Sequence, residues 1–122
     1  MSRLFVYGTL QSGQPQGALL AACSRVPAST RGQLYALPAG YPALVPGGTD
    51  QVFGQLVEPV DERLLGVLDH YEGVAEGLYR RVEVEVDVGL RRQVAWTYVM
   101  DHPESRGGLR LPDGRWRGVV RR

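Results

Sequence analysis

Apolar and polar residues alternate along this chain in several distinct rhythms, and each rhythm predicts an element. Leu4 to Tyr7, in "RLFVY", form an unbroken apolar run that stops on Gly8, the pattern of a short strand buried on both faces. In "RVEVEVDV" the period is two: Val82, Val84, Val86 and Val88 share one face, and Glu83, Glu85 and Asp87 the other. That is a half-buried strand. Gly89 and Leu90 then lead through Arg91 and Arg92 into "QVAWTYVM", so residues 81–99 read as an antiparallel hairpin.

Between these stretches the period lengthens. Leu64, Leu65, Val67, Leu68 and Tyr71 fall at helical spacing, with Asp61 placed to cap the start and Gly73 to end the helix. "PQGALLAAC", from Pro15 to Cys23, predicts a second short helix, its proline suited to a first turn. "RGQLYAL" and "VFGQLVE" are strand-like; the Pro- and Gly-studded "PAGYPALVPGG" between them reads as a loop or a short strand between turns. No repeat or linker divides the 122 residues, so one domain over 1–122 is expected, with 101–122 an Arg/Gly-rich tail that wraps the body or frays.

Composition narrows the chemistry. Fourteen basic against thirteen acidic residues give a net charge of +1, too little for a whole-molecule field toward nucleic acid or a membrane surface. Neither is expected as a partner. All the bases are arginine, which excludes Schiff-base and P-loop lysine chemistry. One cysteine, Cys23, and two histidines, His70 and His102, cannot close a metal site without recruiting carboxylates, so no metal is expected. Cys23 lies in the apolar "ALLAACS", where a small buried thiol is the ordinary reading. No apolar run is long enough to cross a bilayer and no secretory leader is evident, which makes a cytoplasmic location the default.

Two places run against local stability. Asp69 and Glu72 stand three apart in the last turn of the clearest helix, where like charges repel and the negative pole of the helix disfavours carboxylates; Glu76 follows. Either these acids face water or pair with Arg80 or Arg81, or one of them, shielded by Tyr71 and Tyr79, has a raised pKa and shuttles protons. The second place is "YGTL", directly after the first strand. Gly8 there either supplies a positive φ to an ordinary turn or lets consecutive backbone N–H groups border a shared concavity.

In order and spacing, "FVYGTLQSGQPQ", "GYPAL", "VDERLLGVLDHYEGVAEGLYRRVEVEV" and "AWTYV" resemble the gamma-glutamylcyclotransferase-like (AIG2-like) family, and "PDGRWRG" is similar to the ending of its bacterial members. The resemblance covers about Leu4 to Tyr98. It implies an α+β fold, a single domain with a mixed, barrel-like sheet and two short helices. It also implies an enzyme that closes the γ-glutamyl part of a small substrate into 5-oxoproline and frees an amine, without a cofactor. Carried over by position, Glu72 matches the catalytic acid/base; Tyr7, Gly8, Thr9 and Leu10 match the substrate-binding turn; and Tyr79, Arg81 and Tyr98 match residues that support binding. The nearest branch is that of γ-glutamylamine cyclotransferases. A small γ-glutamyl molecule is then the partner, and the oligomeric state is left open. The rival expectations are a non-catalytic module that binds a small metabolite or a protein on the same fold, and nucleic-acid binding through the arginines of residues 106–122.

Overall fold

In the computed structural model, which describes residues 2–8, 10 and 17–118, the opening strand β1 (Ser2–Val6) runs through the middle of the molecule. Leu4, Phe5, Val6 and Tyr7 are all buried, as an unbroken apolar run requires. Alternate side chains leave β1 in opposite directions. Phe5 and Tyr7 pack with Leu34, Leu44, Val52, Leu56, Val86, Ala95 and Val99, whereas Leu4 and Val6 pack with Leu65, Leu68, Tyr79, Tyr98 and Met100. One strand therefore joins two apolar clusters.

The remaining elements are β2 (Ser24–Ala36), β3 (Pro42–Val60), the helix α1 (Glu62–Tyr71), β4 (Arg80–Val88), β5 (Arg91–Val99) and β6 (Leu109–Leu111), with 3₁₀ turns at Gly17–Leu20 and Pro103–Arg106. The strands follow the order β3-β1-β5-β4-β2, and β2 pairs again with β3, so the five close into a barrel with β6 added alongside β2. Only the β1–β5 contact is parallel, with Leu4 opposite Trp96. The barrel is therefore mixed, and closure removes the exposed edges that an open sheet would carry. Among the described residues no helix is long and apolar enough to cross a membrane.

Much of the sequence pattern reappears. The hairpin spans β4 and β5, with Val88 opposite Arg91 across the two-residue turn at Gly89 and Leu90. The Asp61 side chain caps α1 by accepting from the Leu64 N–H at 2.8 Å. Leu65 and Leu68 form its buried stripe, while Val67 and Tyr71 are 49% and 42% exposed, so the apolar face is narrower than the spacing suggests.

Three expectations are corrected. Among the described residues of the stretch Pro15–Cys23 there is only the 3₁₀ turn Gly17–Leu20. Within that turn Leu20 is buried while Ala18 and Leu19 are exposed, which gives further turns little to pack against. "PALVPGG" belongs to β3: Pro42 to Pro46 pair with Ala36 to Gly32, and the register then jumps so that Gln51 faces Arg31. Pro42 opens the strand and Pro46 stands at that bulge, places where a missing N–H is tolerated. β2 begins at Ser24, seven residues before "RGQLYAL", because "SRVPAST" finds its partners far away in Val52–Glu58, beyond the reach of any local pattern. The tail wraps, since β6 pairs with β2 and the Gly114 carbonyl accepts from the Phe53 N–H at 2.8 Å. Of its charges, Asp113 pairs locally with Arg117, Asp101 with Arg80 on β4, and Arg110 with Asp50 on β3. Cys23 is half-buried, its thiol 3.2 Å from the Pro59 carbonyl.

The β1–β5 junction is secured from inside the barrel, where the fully buried Thr97 donates its hydroxyl to the Phe5 carbonyl at 2.9 Å. Thr97→Val keeps the shape and removes the donor. It should lower stability by about 1 kcal/mol, seen as a reduced urea midpoint with an unchanged slope.

Candidate active site

The helix end is built by its own sequence. Glu72 is the C-cap of α1 with φ −81°, and Gly73 follows in the left-handed region at φ 67°. The Gly73 N–H donates to the His70 carbonyl (3.1 Å) and the Val74 N–H to the Asp69 carbonyl (3.0 Å), the pair of bonds that closes a helix with a Schellman turn. Glycine suits that φ because it has no Cβ to strain. The helix therefore ends at Tyr71, with Glu72 as its cap.

What Glu72 meets there is a cavity of about 210 Å³, lined among others by Val6, Tyr7, Gly8, Leu10, Tyr41, Pro42, Leu78, Tyr79 and Tyr98. The end of β1 and the end of α1 thus border one hollow. Its walls are mostly aromatic and aliphatic, and burial among them pushes the Glu72 carboxyl up from 4.5 to about 7. Loss of water is the cause of that shift.

The tyrosines have another part. Tyr7 donates its hydroxyl to the Tyr98 carbonyl (2.5 Å) and accepts from the Leu44 N–H (3.3 Å); Tyr79 donates to the Pro42 carbonyl (2.5 Å). Tyr98 donates to Asp69 Oδ1 at 2.6 Å. Burial, first of all, raises the pKa of all three well above its ordinary value, so they stay protonated at neutral pH. Their protons are committed to protein acceptors, which makes them walls and struts. Among the described lining residues, Glu72 is the only carboxylate.

Asp69 and Glu72, which looked alike in the sequence, separate here. Asp69 takes a two-pronged contact from Arg81, Nε to Oδ1 at 2.8 Å and Nη2 to Oδ2 at 3.2 Å, together with the Tyr98 hydroxyl. Arg81 does not line the cavity; its guanidinium lies over the Trp96 ring, 4.5 Å from the centroid. Glu76 is exposed and also stands outside the lining.

Of the residues matched to the family's substrate turn, Tyr7, Gly8 and Leu10 line the cavity, and Thr9 lies outside the described residues. Gly8 does not serve the positive φ of an ordinary turn, and it has a packing reason that the sequence did not suggest. It is not among the positive-φ glycines, and a Cβ there would fall 2.6 Å from Cγ of Pro42. The strand ends on glycine because the proline ring fills the place of a side chain. Tyr41, Pro42 and Leu78 were not singled out as site residues, although "GYPAL" held two of them, and Tyr71, expected to shield an acid, lines the cavity with them.

The closed mixed barrel places the chain in a fold class with solved members. The chain resembles the crystal structure of YkqA from Bacillus subtilis with a TM-score of 0.76 at 28% identity, covering 94% of this chain and 39% of that one. An AIG2-like protein from Mus musculus gives a TM-score of 0.69 at 27% identity over 82% of this chain and 77% of that one. By sequence it is 34% identical to YkqA over 121 residues, 95% of this chain. It is also 34% identical to the gamma-glutamylaminecyclotransferase of Bos taurus over 98 residues, 70% of this chain. It spans 41% and 56% of the lengths of those two relatives. The family model described as "Gamma-glutamyl cyclotransferase, AIG2-like" matches residues 4–118, and the chain belongs to that family.

A carboxyl that titrates at about 7 when folded and near 4.5 when exposed binds more protons in the native state between those values. Its contribution to stability is then present below the lower value and lost as pH rises through the upper one. Glu72→Gln escapes that loss. Its urea midpoint relative to the unsubstituted protein should rise between about pH 5 and about pH 8; a flat difference would mean that the Glu72 carboxylate is solvated.

Proposed function

We propose that this domain is a γ-glutamyl cyclotransferase in which Glu72 is the general acid/base. The observation that carries the reading is a half-buried carboxyl, pushed up to about 7, in the same hollow as the end of the opening strand. The reaction is internal to the substrate. The α-amino nitrogen attacks the γ-carbonyl carbon, a ring C–N bond forms, and the bond to the departing amine breaks, giving 5-oxoproline and a free amine.

At neutral pH the attacking nitrogen begins as an ammonium, which has no lone pair. A base has to remove its proton, and the departing nitrogen has to gain one. A carboxylate poised near neutrality performs both steps in turn. Because both reacting groups lie in one molecule, the second task is to bend the substrate into a ring-closing shape. Tyr7, Gly8 and Leu10 on one side, with Tyr79 and Tyr98, supply the walls for that shape. Backbone N–H groups of the Gly8 to Leu10 turn, Thr9 included, are proposed to anchor the γ-glutamyl group and to stabilise the oxyanion.

A γ-glutamyl amine is the substrate class best supported. One relative is named for amines, and among the described lining residues there is no cationic side chain to hold a carboxylate on the departing group.

Incubation with γ-glutamyl amines, γ-glutamyl dipeptides and glutathione, followed by mass spectrometry for 5-oxoproline, tests the reading. Product is expected, with kcat/KM rising with pH through about 7 as Glu72 loses its proton. Glu72→Gln should reduce turnover by roughly a hundred- to ten-thousandfold. An unchanged rate in that variant would remove Glu72 from the mechanism. Calorimetric binding without 5-oxoproline would assign the domain to ligand binding alone.

A further inference from the structure

Arg81 and Tyr98 stand directly opposite each other on β4 and β5, and both reach the same carboxylate, that of Asp69 in the last turn of α1. The contact is specific in shape. Arg81 offers two parallel N–H groups to the two oxygens, the arrangement in which guanidinium and carboxylate fit best, while Tyr98 adds a third donor at 2.6 Å. Trp96 supports the guanidinium from its face. The side chains of Asp69 and Arg81 are about a quarter exposed, so water competes only in part.

This clasp ties the last turn of α1 to the β4–β5 hairpin, beyond the apolar packing of Leu65 and Leu68. Helix ends fray, and a carboxylate at the negative pole would loosen the last turn further. Here the charge is matched by a cation from the sheet, and the Asp69 backbone carbonyl closes the helix by accepting from Val74. Glu72 lies three residues on, close to one turn away, with Cβ atoms about 5–6 Å apart at that spacing. The chain of contacts continues inward, because the Tyr98 carbonyl accepts from Tyr7, and Tyr7 and Tyr98 both line the cavity.

We infer that Asp69 and Arg81 are positioning residues for the proposed reaction: their pairing across α1 and the β4–β5 hairpin holds the helix end so that the Glu72 carboxyl stays in the cavity. The inference rests on the catalytic reading above, and it gives Arg81 a part that does not require it to touch substrate.

The groups that face Glu72 decide how to test this. They are Tyr7 directly after β1, Tyr79 from the segment before β4, Tyr98 from β5, Tyr41 from the turn before β3, and Tyr71 and the Asp69–Arg81 pair beside it on α1 and β4. Removing one member of the pair would change the local field as well as the tether. Removing both, as in Asp69→Asn with Arg81→Met, takes away one charge of each sign and leaves chiefly the loss of the tether.

The full chain carrying that double substitution, and separately Arg81→Lys, is compared with the unsubstituted protein in two ways. One is ¹³C NMR titration of the Glu72 carboxyl; the other is steady-state kinetics, in which the release of 5-oxoproline yields kcat and KM separately. In the double variant the Glu72 midpoint should fall from about 7 by roughly one pH unit or more as the carboxyl escapes its dry site. Its kcat should drop by roughly ten- to a hundredfold, while KM stays within about threefold. Arg81→Lys, which keeps the charge and loses the fork, should lie between the two. A double variant that is merely less stable, with midpoint and kcat unmoved, would overturn the inference. If that variant does not fold, Arg81→Lys decides: values equal to those of the unsubstituted protein overturn the positioning role, and a lowered midpoint with lowered kcat supports it. Absence of 5-oxoproline from every protein would fell the catalytic reading instead. The titration would still show whether the pair holds Glu72 in place.

Discussion

Ionising a carboxyl in a hollow walled by tyrosine, leucine and proline is costly, because little water reaches it to solvate the charge, and that cost organises the site. At Glu72 it brings the proton affinity of an ordinary glutamate close to neutrality. The walls responsible belong to segments far apart in the chain: Tyr7 and Leu10 near its start, Tyr41 and Pro42 at the start of a long strand, Tyr79 just before the late hairpin and Tyr98 within it. Desolvation at Glu72 is thus a property of the closed barrel more than of the helix that carries the residue.

Barrel closure also explains why the polar contacts around the hollow are so fully used. A buried hydroxyl without a partner is expensive, and Tyr7, Tyr79 and Tyr98 each donate to a carbonyl or carboxylate on another element. These bonds cross the β1–β5 junction, tie the late hairpin to the start of β3 and tie α1 to the hairpin. The same contacts that satisfy the tyrosines therefore define the shape of the cavity. In such a frame, a single carboxyl can change protonation without disturbing the groups around it.

Much of the local architecture was legible because its causes are local. The alternation from Val82 to Val88 declares a half-buried strand whatever it packs against, and Asp61 and Gly73 mark the ends of α1 by cap chemistry that acts within a few residues. The early start of β2 and the continuity of "PALVPGG" with the strand that follows were not legible, since the first depends on cross-strand partners dozens of residues away and the second on a bulge that absorbs glycines and prolines. The 3₁₀ turn at Gly17–Leu20 was misread for a related reason. Helix formers in sequence do not make a helix when the fold offers so little to pack against.

For the site, the sequence by itself determined the inventory: an acid placed where a helix must stop, a glycine directly after a buried strand, aromatic residues nearby, and motifs in an order that matches one family. Only the tertiary structure decided the roles. It gave Asp69 to Arg81 and Tyr98 and left Glu72 in the cavity, a distinction invisible in "LDHYEG" because both acids sit in the same turn of the same helix. It put Pro42 against Gly8, so that the missing side chain is explained by a proline ring more than thirty positions away. Caps and periodicities act between neighbours in the chain, whereas burial, and with it the proton affinity of a carboxyl, depends on everything that comes near it in space.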